Sequence, residues 1–190
     1  NRNQIGRFER NAINPSFPLE SGIIISTGDV SSAVGPNVSP STTSSYSARG
    51  DADLSGLSGY SNFNILDVAV LQFDFVPDGD IVEFRYVFAS EEYAEYACSQ
   101  YNDVFGFFIS GPGLTGPYSN NSANIALLPD GSPVAINNIH VNGTNGPNGA
   151  SCPDENAEYY VNVPPGALTI EYDGRTTVLT ARIEGLTPCE

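Results

Sequence analysis

The chain has 190 residues, a length suited to one domain or one large β-sandwich. Its 22 Asp and Glu face 7 Arg and no Lys, a formal net charge of −15. Such a surface repels phosphate, which argues against nucleic acid and anionic membranes as partners and for divalent cations or positively charged ones, or simply for the solubility of a secreted protein.

No run of about 18 apolar residues occurs, so no segment is expected to insert into a membrane. The first residues, "NRNQIGRFER", lack a methionine and an apolar signal-peptide core, so the sequence reads as a mature or excised piece of a longer protein. Ten Phe and ten Tyr supply bulky side chains for a sizeable core.

Taken in chain order, "GIIIS" (Gly22–Ser26) is a short apolar run that stops at a Thr-Gly-Asp turn. Pro36–Gly59 follows as polar sequence without periodicity, predicted to be a long functional or mobile loop. In "AVLQFDFV", Ala69, Leu71, Phe73 and Phe75 alternate with Gln72 and Asp74. After the turn "PDGD", Val82, Phe84, Tyr86 and Phe88 take one face and Glu83 and Arg85 the other. Alternation on both sides of a Pro-Asp-Gly turn predicts a hairpin.

"VFGFFIS" (Val104–Ser110) is a further strand. "NIALLP" and "VAINNIHV" flank "DGSP" as a second hairpin, and "LTIEY" and "TTVLTARIEG" flank Asp173-Gly174 as a third, with Leu168, Ile170 and Tyr172 facing inward. No helical period runs beyond about two turns, and 14 Pro and 19 Gly punctuate the whole chain. The prediction is an all-β, antiparallel, jelly-roll-like sandwich with long loops and little helix, one domain over residues 1–190.

The chemistry concentrates between two predicted strands. Glu91, Glu92 and Glu95 lie close in sequence to Asp103, with Arg85 the only cationic residue at all near. On a turn of helix these glutamates repel one another by a few tenths of a kcal/mol per pair. A hard cation reverses that sign, since Ca²⁺ gathers about 6–8 oxygens from carboxylates, carbonyls and water. Asn102 and Asp103 are placed to close such a site; the alternative is a solvated acidic loop. Asp51 and Asp53, with Asp67, form a second acidic group that reads equally as a calcium half-site or as turn chemistry.

Catalysis has little support. Glu91, Glu92 and Asp103 are formally eligible as a glycosidase pair, but the chain has no tryptophan for a sugar platform. His140 neighbours no nucleophile motif and reads as a structural or surface histidine. Arg49–Asp51 spells Arg-Gly-Asp, a match too short to carry weight.

Cys98, Cys152 and Cys189 are too few and too scattered for a zinc pattern with one histidine to help. A disulfide between Cys98 and Cys152, both in polar, loop-like sequence, is expected, in keeping with an oxidising compartment. The odd Cys189 is then left for a partner outside this sequence. Asn37, Asn120 and Asn142 open Asn-x-Ser/Thr triplets, glycosylation acceptors only in a host with the machinery.

Five stretches carry a resemblance: "LESGIIISTG", "DADLSGL", "DVAVLQFDFVPDGDIVEFRYVFASEEYAEYACSQYNDVFGFFISGPG", "NIALLPDGSPVAINNIHVN" and "EYDGRTTVLTARIEGLTPC". Together, from about Gly22 to Cys189, they resemble the choice-of-anchor L domain family of bacterial secreted and surface-attached proteins. The resemblance implies an extracellular adhesive or structural module, of a surface protein, a matrix or a fibre, and no established enzyme. Its partners are then a protein or glycan ligand at the cell surface, or copies of itself.

"SEEY" and "ND" fall in the family's hallmark stretch, which favours a calcium site with Glu91, Glu92 and Asp103 as preferred ligands and Asp51, Asp53 and Asp67 behind them. Domains of this family usually continue past "TVLTA…PC" into further strands. A truncated piece, disorder past Glu190, and completion by strand addition from a neighbouring chain are the three alternatives.

Overall fold

The computed structural model describes residues 2–10, 16–47, 50–58, 65–141, 143–144 and 151–189. Arg49 of the Arg-Gly-Asp triplet, the Asn142 acceptor and Gly59 at the end of the long polar segment lie outside them.

The architecture is all-β, and every ladder is antiparallel. β1 (Ile5–Glu9) pairs along its length with β2 (Ser21–Ile25), which is the apolar run "GIIIS" moved by one residue. The helix α1 (Ala52–Ser58) forms inside the segment expected to be loop. Asp51 starts it, because its carboxylate accepts from the backbone N–H groups of Asp53 (3.0 Å) and Leu54 (2.9 Å).

β3 (Ile81–Tyr86) shows the expected alternation, with Val82, Phe84 and Tyr86 turned inward and Ile81, Glu83 and Arg85 outward. Its partner is not the preceding segment. Residues 69–76 make no ladder and no backbone hydrogen bond among the described residues. β3 pairs instead with β13 (Leu179–Glu184) over six residues, from Leu179 opposite Tyr86 to Glu184 opposite Ile81. The predicted first hairpin is therefore corrected: a partner almost a hundred residues away wins over the adjacent one. Apolar Val70, Phe73, Phe75 and Val76 are left exposed along the unpaired segment.

After β3 come β4 (Ala89–Ser90), β5 (Val104–Phe105), β6 (Phe108–Ile109), β7 (Ala123–Asn124) and β8 (Val134–Ala135). "VFGFFIS" is thus two short strands, with β5 on β8 and β6 on β7. The break falls at Gly106, where a Cβ atom would lie 2.6 Å from the Phe108 ring. In "DGSP" the chain does reverse, closed by Leu128 N–H to the Ser132 carbonyl (2.9 Å) and by a bridge between Leu127 and Pro133.

The chain goes on through β9 (Gly143–Thr144), β10 (Ser151–Cys152), β11 (Tyr160–Asn162) and β12 (Gly174–Thr176). β12 lies between β11 and β4, so the third predicted hairpin is also corrected: Asp173-Gly174 opens a central strand rather than a turn. Of its predicted inward residues, Ile170 is buried, Tyr172 half-buried and Leu168 exposed.

Three buried clusters are joined by shared aromatics. Leu128, Val134, Ile139 and Leu179 form one, and Tyr93, Ala97 and Ile136 a second, bridged by Phe88 and Tyr160. Ile109, Ile125 and Ala181 form the third, joined to the first through Tyr86, with Phe84 stacked on Phe107 at 4.6 Å between centroids. Dispersion between such closely spaced rings adds to their area burial.

Candidate functional site

The acidic stretch is a run of hydrogen-bonded turns between β4 and β5. Tyr96 N–H bonds the Glu92 carbonyl (3.0 Å) and Ala97 N–H the Ala94 carbonyl (3.2 Å). The helix-like spacing turns Tyr93 and Ala97 into the core, both fully buried, and leaves Glu91, Glu92 and Glu95 outside it. Tyr93 packs on Gly174 of β12, where a Cβ would come within 2.6 Å of the Tyr93 Cβ. Core packing therefore fixes the turn that carries the carboxylates.

The carboxylates then divide into two groups. Glu91 points toward β12 and the polar segment after Pro36. It accepts from Thr42 N–H (2.7 Å) and Asp173 N–H (3.2 Å). Glu171, buried at 4% exposure, accepts from the Thr42 hydroxyl (2.6 Å) and Val38 N–H (3.0 Å). Asn37, 1% exposed, donates its amide to Asp173 (2.8 Å) and to the Val163 carbonyl (2.8 Å). This network clamps the polar segment onto the β-core. Burial raises the Glu91 carboxyl to about 7 against the opposing Thr42 hydrogen bond, with Asp173 and Glu171 adding repulsion.

The second group is the pair Glu92 and Asp103. Burial first, then the charge of Asp103, then that of Glu95, push the Glu92 carboxyl up to about 7. Asp103 is exposed on the wall of a cleft, where its surroundings still strip hydration from the carboxylate. That desolvation raises its carboxyl, opposed by the Ser90 hydroxyl donating to it at 2.6 Å. The same hydroxyl accepts from Glu92 N–H (3.0 Å). Among the described residues no arginine comes within ion-pairing distance of Glu91, Glu92, Asp103, Glu171 or Asp173.

Glu91, Glu92 and Asp103 share the wall of one cleft with Tyr96, Asn102 and Tyr172. At ≈ 2330 Å³ the cleft far exceeds the roughly 300–1,000 Å³ of small-molecule pockets, so it is an open furrow between ladders rather than an enclosed substrate site.

The other acidic candidates do separate work. Asp51 caps α1, Asp53 accepts from the Ser119 N–H and hydroxyl (both 2.9 Å), and Asp67 accepts from Ser45 Oγ, Tyr46 N–H and Ser47 N–H (each 2.8 Å). Asn120 is exposed, whereas Asn37 Nδ2 is buried with its two hydrogens engaged.

Cys98 and Cys152 form a disulfide, with Cα atoms 6.2 Å apart, and Cys189 is a free, exposed thiol. His140 joins the disulfide, its Nε2 lying 3.5 Å from each sulfur. No spacing rule in the sequence links residues 98, 140 and 152; an antiparallel bridge ties His140 to Glu155, three residues beyond Cys152.

The family model of the choice-of-anchor L domain matches residues 1–190, the whole chain. The protein belongs to the choice-of-anchor L domain family. Its membership marks the chain as a module of a bacterial secreted or surface-anchored protein, from a family not known for enzymes. Comparison with curated proteins and with solved structures gives no match to this chain. Among the described residues no helix is long and apolar enough to cross a membrane. Within "EEYAEYACSQYND", Tyr93 is locked in the core while Glu91, Glu92 and Asp103 line the furrow.

Proposed function

We propose that this choice-of-anchor L domain is an extracellular adhesive or structural module of a bacterial surface protein, matrix or fibre, with Ca²⁺ stabilising the acidic wall of its furrow. The observation that supports it is the Glu92–Asp103 pair. Burial and then the charge of Asp103 raise the Glu92 carboxyl beside a solvent-open cleft, desolvation raises that of Asp103, and among the described residues no arginine within ion-pairing range offsets them. A hard dication favours both ionised forms at once and replaces the repulsion by attraction.

Glu92 and Asp103 would hold the ion, with Glu95 in the same turn and backbone carbonyls or water completing the oxygen set. Glu91 accepts one N–H at each oxygen, from Thr42 and from Asp173, and keeps a lone pair on each for the ion. Thermal melting with calcium and with chelator tests this. Saturation at about 100 Kd contributes about 2.7 kcal/mol, a rise in Tm of roughly 5–10 °C for a domain of this size. An unchanged midpoint removes the metal from the account.

A second reading, assembly with copies of itself, is favoured by the exposed apolar segment 69–76 with its unladdered backbone, a surface suited to strand addition. Size-exclusion chromatography and negative-stain microscopy of native material check it, and monomers throughout would dismiss it. The hydrolytic alternative predicts that Glu92→Gln and Asp103→Asn abolish turnover of a glycan substrate without loss of stability.

A further inference from the structure

His140, the single histidine of the chain, is 2% exposed and is directed at a disulfide. A disulfide needs no imidazole partner, so the convergence asks for another explanation. Each of the three residues is held by contacts of its own. Cys98 N–H donates to Asn137 Oδ1 (2.6 Å), and Asn137 Nδ2 in turn donates to the Ser99 carbonyl (2.9 Å). His140 exchanges backbone hydrogen bonds in both directions with Glu155, at 2.8 and 3.0 Å. Cys152 pairs with Gly143 across β9 and β10. None of these contacts depends on the sulfur–sulfur bond.

The three ligand atoms lie within 4.8 Å of one another. A tetrahedral zinc ion has bonds of about 2.3 Å to sulfur and about 2.0 Å to nitrogen, which sets each sulfur–nitrogen edge at about 3.5 Å. The structure gives 3.5 Å for both edges. The sulfur–sulfur edge of the same tetrahedron is about 3.7 Å, longer than a disulfide bond of about 2.05 Å, so disulfide and metal exclude each other.

We propose that Cys98, His140 and Cys152 form, when the disulfide is reduced, a Cys₂His site for a thiophilic divalent ion of the Zn²⁺ type, with its fourth position open to water or an external ligand. An external dithiol supplies the two electrons and two protons that convert the disulfide to two thiols, and is itself oxidised to a disulfide. The metal then binds both sulfurs as thiolates and releases the two protons. Two thiolates and a neutral imidazole leave the loaded centre without net charge, which suits a buried histidine, and the nearby Asp154 and Glu155 carboxylates favour the incoming cation. The site uses none of the carboxylates assigned to calcium.

The test uses the full chain with Cys189→Ser, so that the exposed thiol contributes nothing. The reduced and oxidised proteins are titrated anaerobically with Co²⁺ and, separately, with Zn²⁺. The expected result is one ion more per reduced than per oxidised chain, with sulfur-to-cobalt charge-transfer absorption from the reduced chain alone. Loss of an outer-shell partner alone costs about 10–100-fold in metal affinity, so His140→Gln is expected to weaken binding at least about tenfold. Circular dichroism checks that this variant is folded. If it is not, the reduced parent protein still decides, because absence of the charge-transfer band there overturns the proposal. Equal binding by the oxidised protein, or by a folded His140→Gln variant, overturns it as well.

Discussion

Raising the pH in calcium-free buffer should destabilise this domain, and Glu92→Gln should remove part of that loss. The Glu92 carboxyl moves from an ordinary 4.5 to about 7 on folding, and Glu91 does the same. The folded state therefore binds more protons than the unfolded chain between those values, and stability falls as pH rises through that window. The contribution is fully present below about pH 4.5 and lost above about pH 7.

At full strength a shift of this size is about 3 kcal/mol for one carboxyl. Both side chains reach the furrow and are partly screened, so about 1–2 kcal/mol each is expected. Asp29 and Asp130, lowered by Ser31 and Ser132 respectively, titrate below this window. His140, lowered by burial, acts with the opposite sign below its ordinary value of 6.5, which is why the comparison with Glu92→Gln is needed. Urea denaturation at pH 5, 6, 7 and 8 measures it. A parent protein whose stability is flat or rises from pH 5 to 8, or a Glu92→Gln slope equal to the parent's, would refute the reasoning.

Gly174→Ala should destabilise by about 1–3 kcal/mol, because its methyl group meets the Cβ of the fully buried Tyr93 and the β12 backbone leaves it no other direction; denaturant midpoints at unchanged slope check this. Asn37→Ala should cost about 1–3 kcal/mol, since it strands the Val163 carbonyl and an Asp173 oxygen, and the loss should appear as earlier proteolysis after residue 37. Reduction of Cys98–Cys152, which spans 54 residues, should lower stability by up to about 4 kcal/mol by freeing the unfolded chain, measured by urea melts with and without reductant in the presence of a chelator.

The strands that alternate were legible, and their partners were not. β3 reads directly from Val82, Phe84 and Tyr86, but its pairing with β13 depends on contacts between Phe84, Ala181 and Ile183 that no local pattern encodes. The turn at Pro77–Asp80 gave the strongest local hairpin signal, and it was overridden. α1 was hidden because Ala52–Ser58 carries Gly and two Ser and buries none of its residues, so it lacks an apolar stripe.

At the site, the position of the acidic turn was legible while the division of labour was not. The sequence shows Asp51, Asp53 and Asp67 as an acidic group but not their hydrogen-bond partners, which are backbone N–H groups of a helix start and two loops. Glu171 and Asp173 carry no local signal of their part in this network, because they fall in a predicted strand and turn far from Glu91 in sequence. The Cys98–Cys152 pairing could be chosen from loop context, whereas His140 could not, since a lone histidine in a strand-like run carries no spacing signal.

Isothermal titration of Ca²⁺ into the full chain at pH 7.5, beside the Glu92→Gln/Asp103→Asn double variant, tests the central claim most directly. Binding of one ion by the parent, weakened at least about tenfold in the double variant, is the predicted result; each tenfold corresponds to about 1.4 kcal/mol. No heat of binding at millimolar calcium, or an isotherm that the double substitution leaves unchanged, would contradict the account.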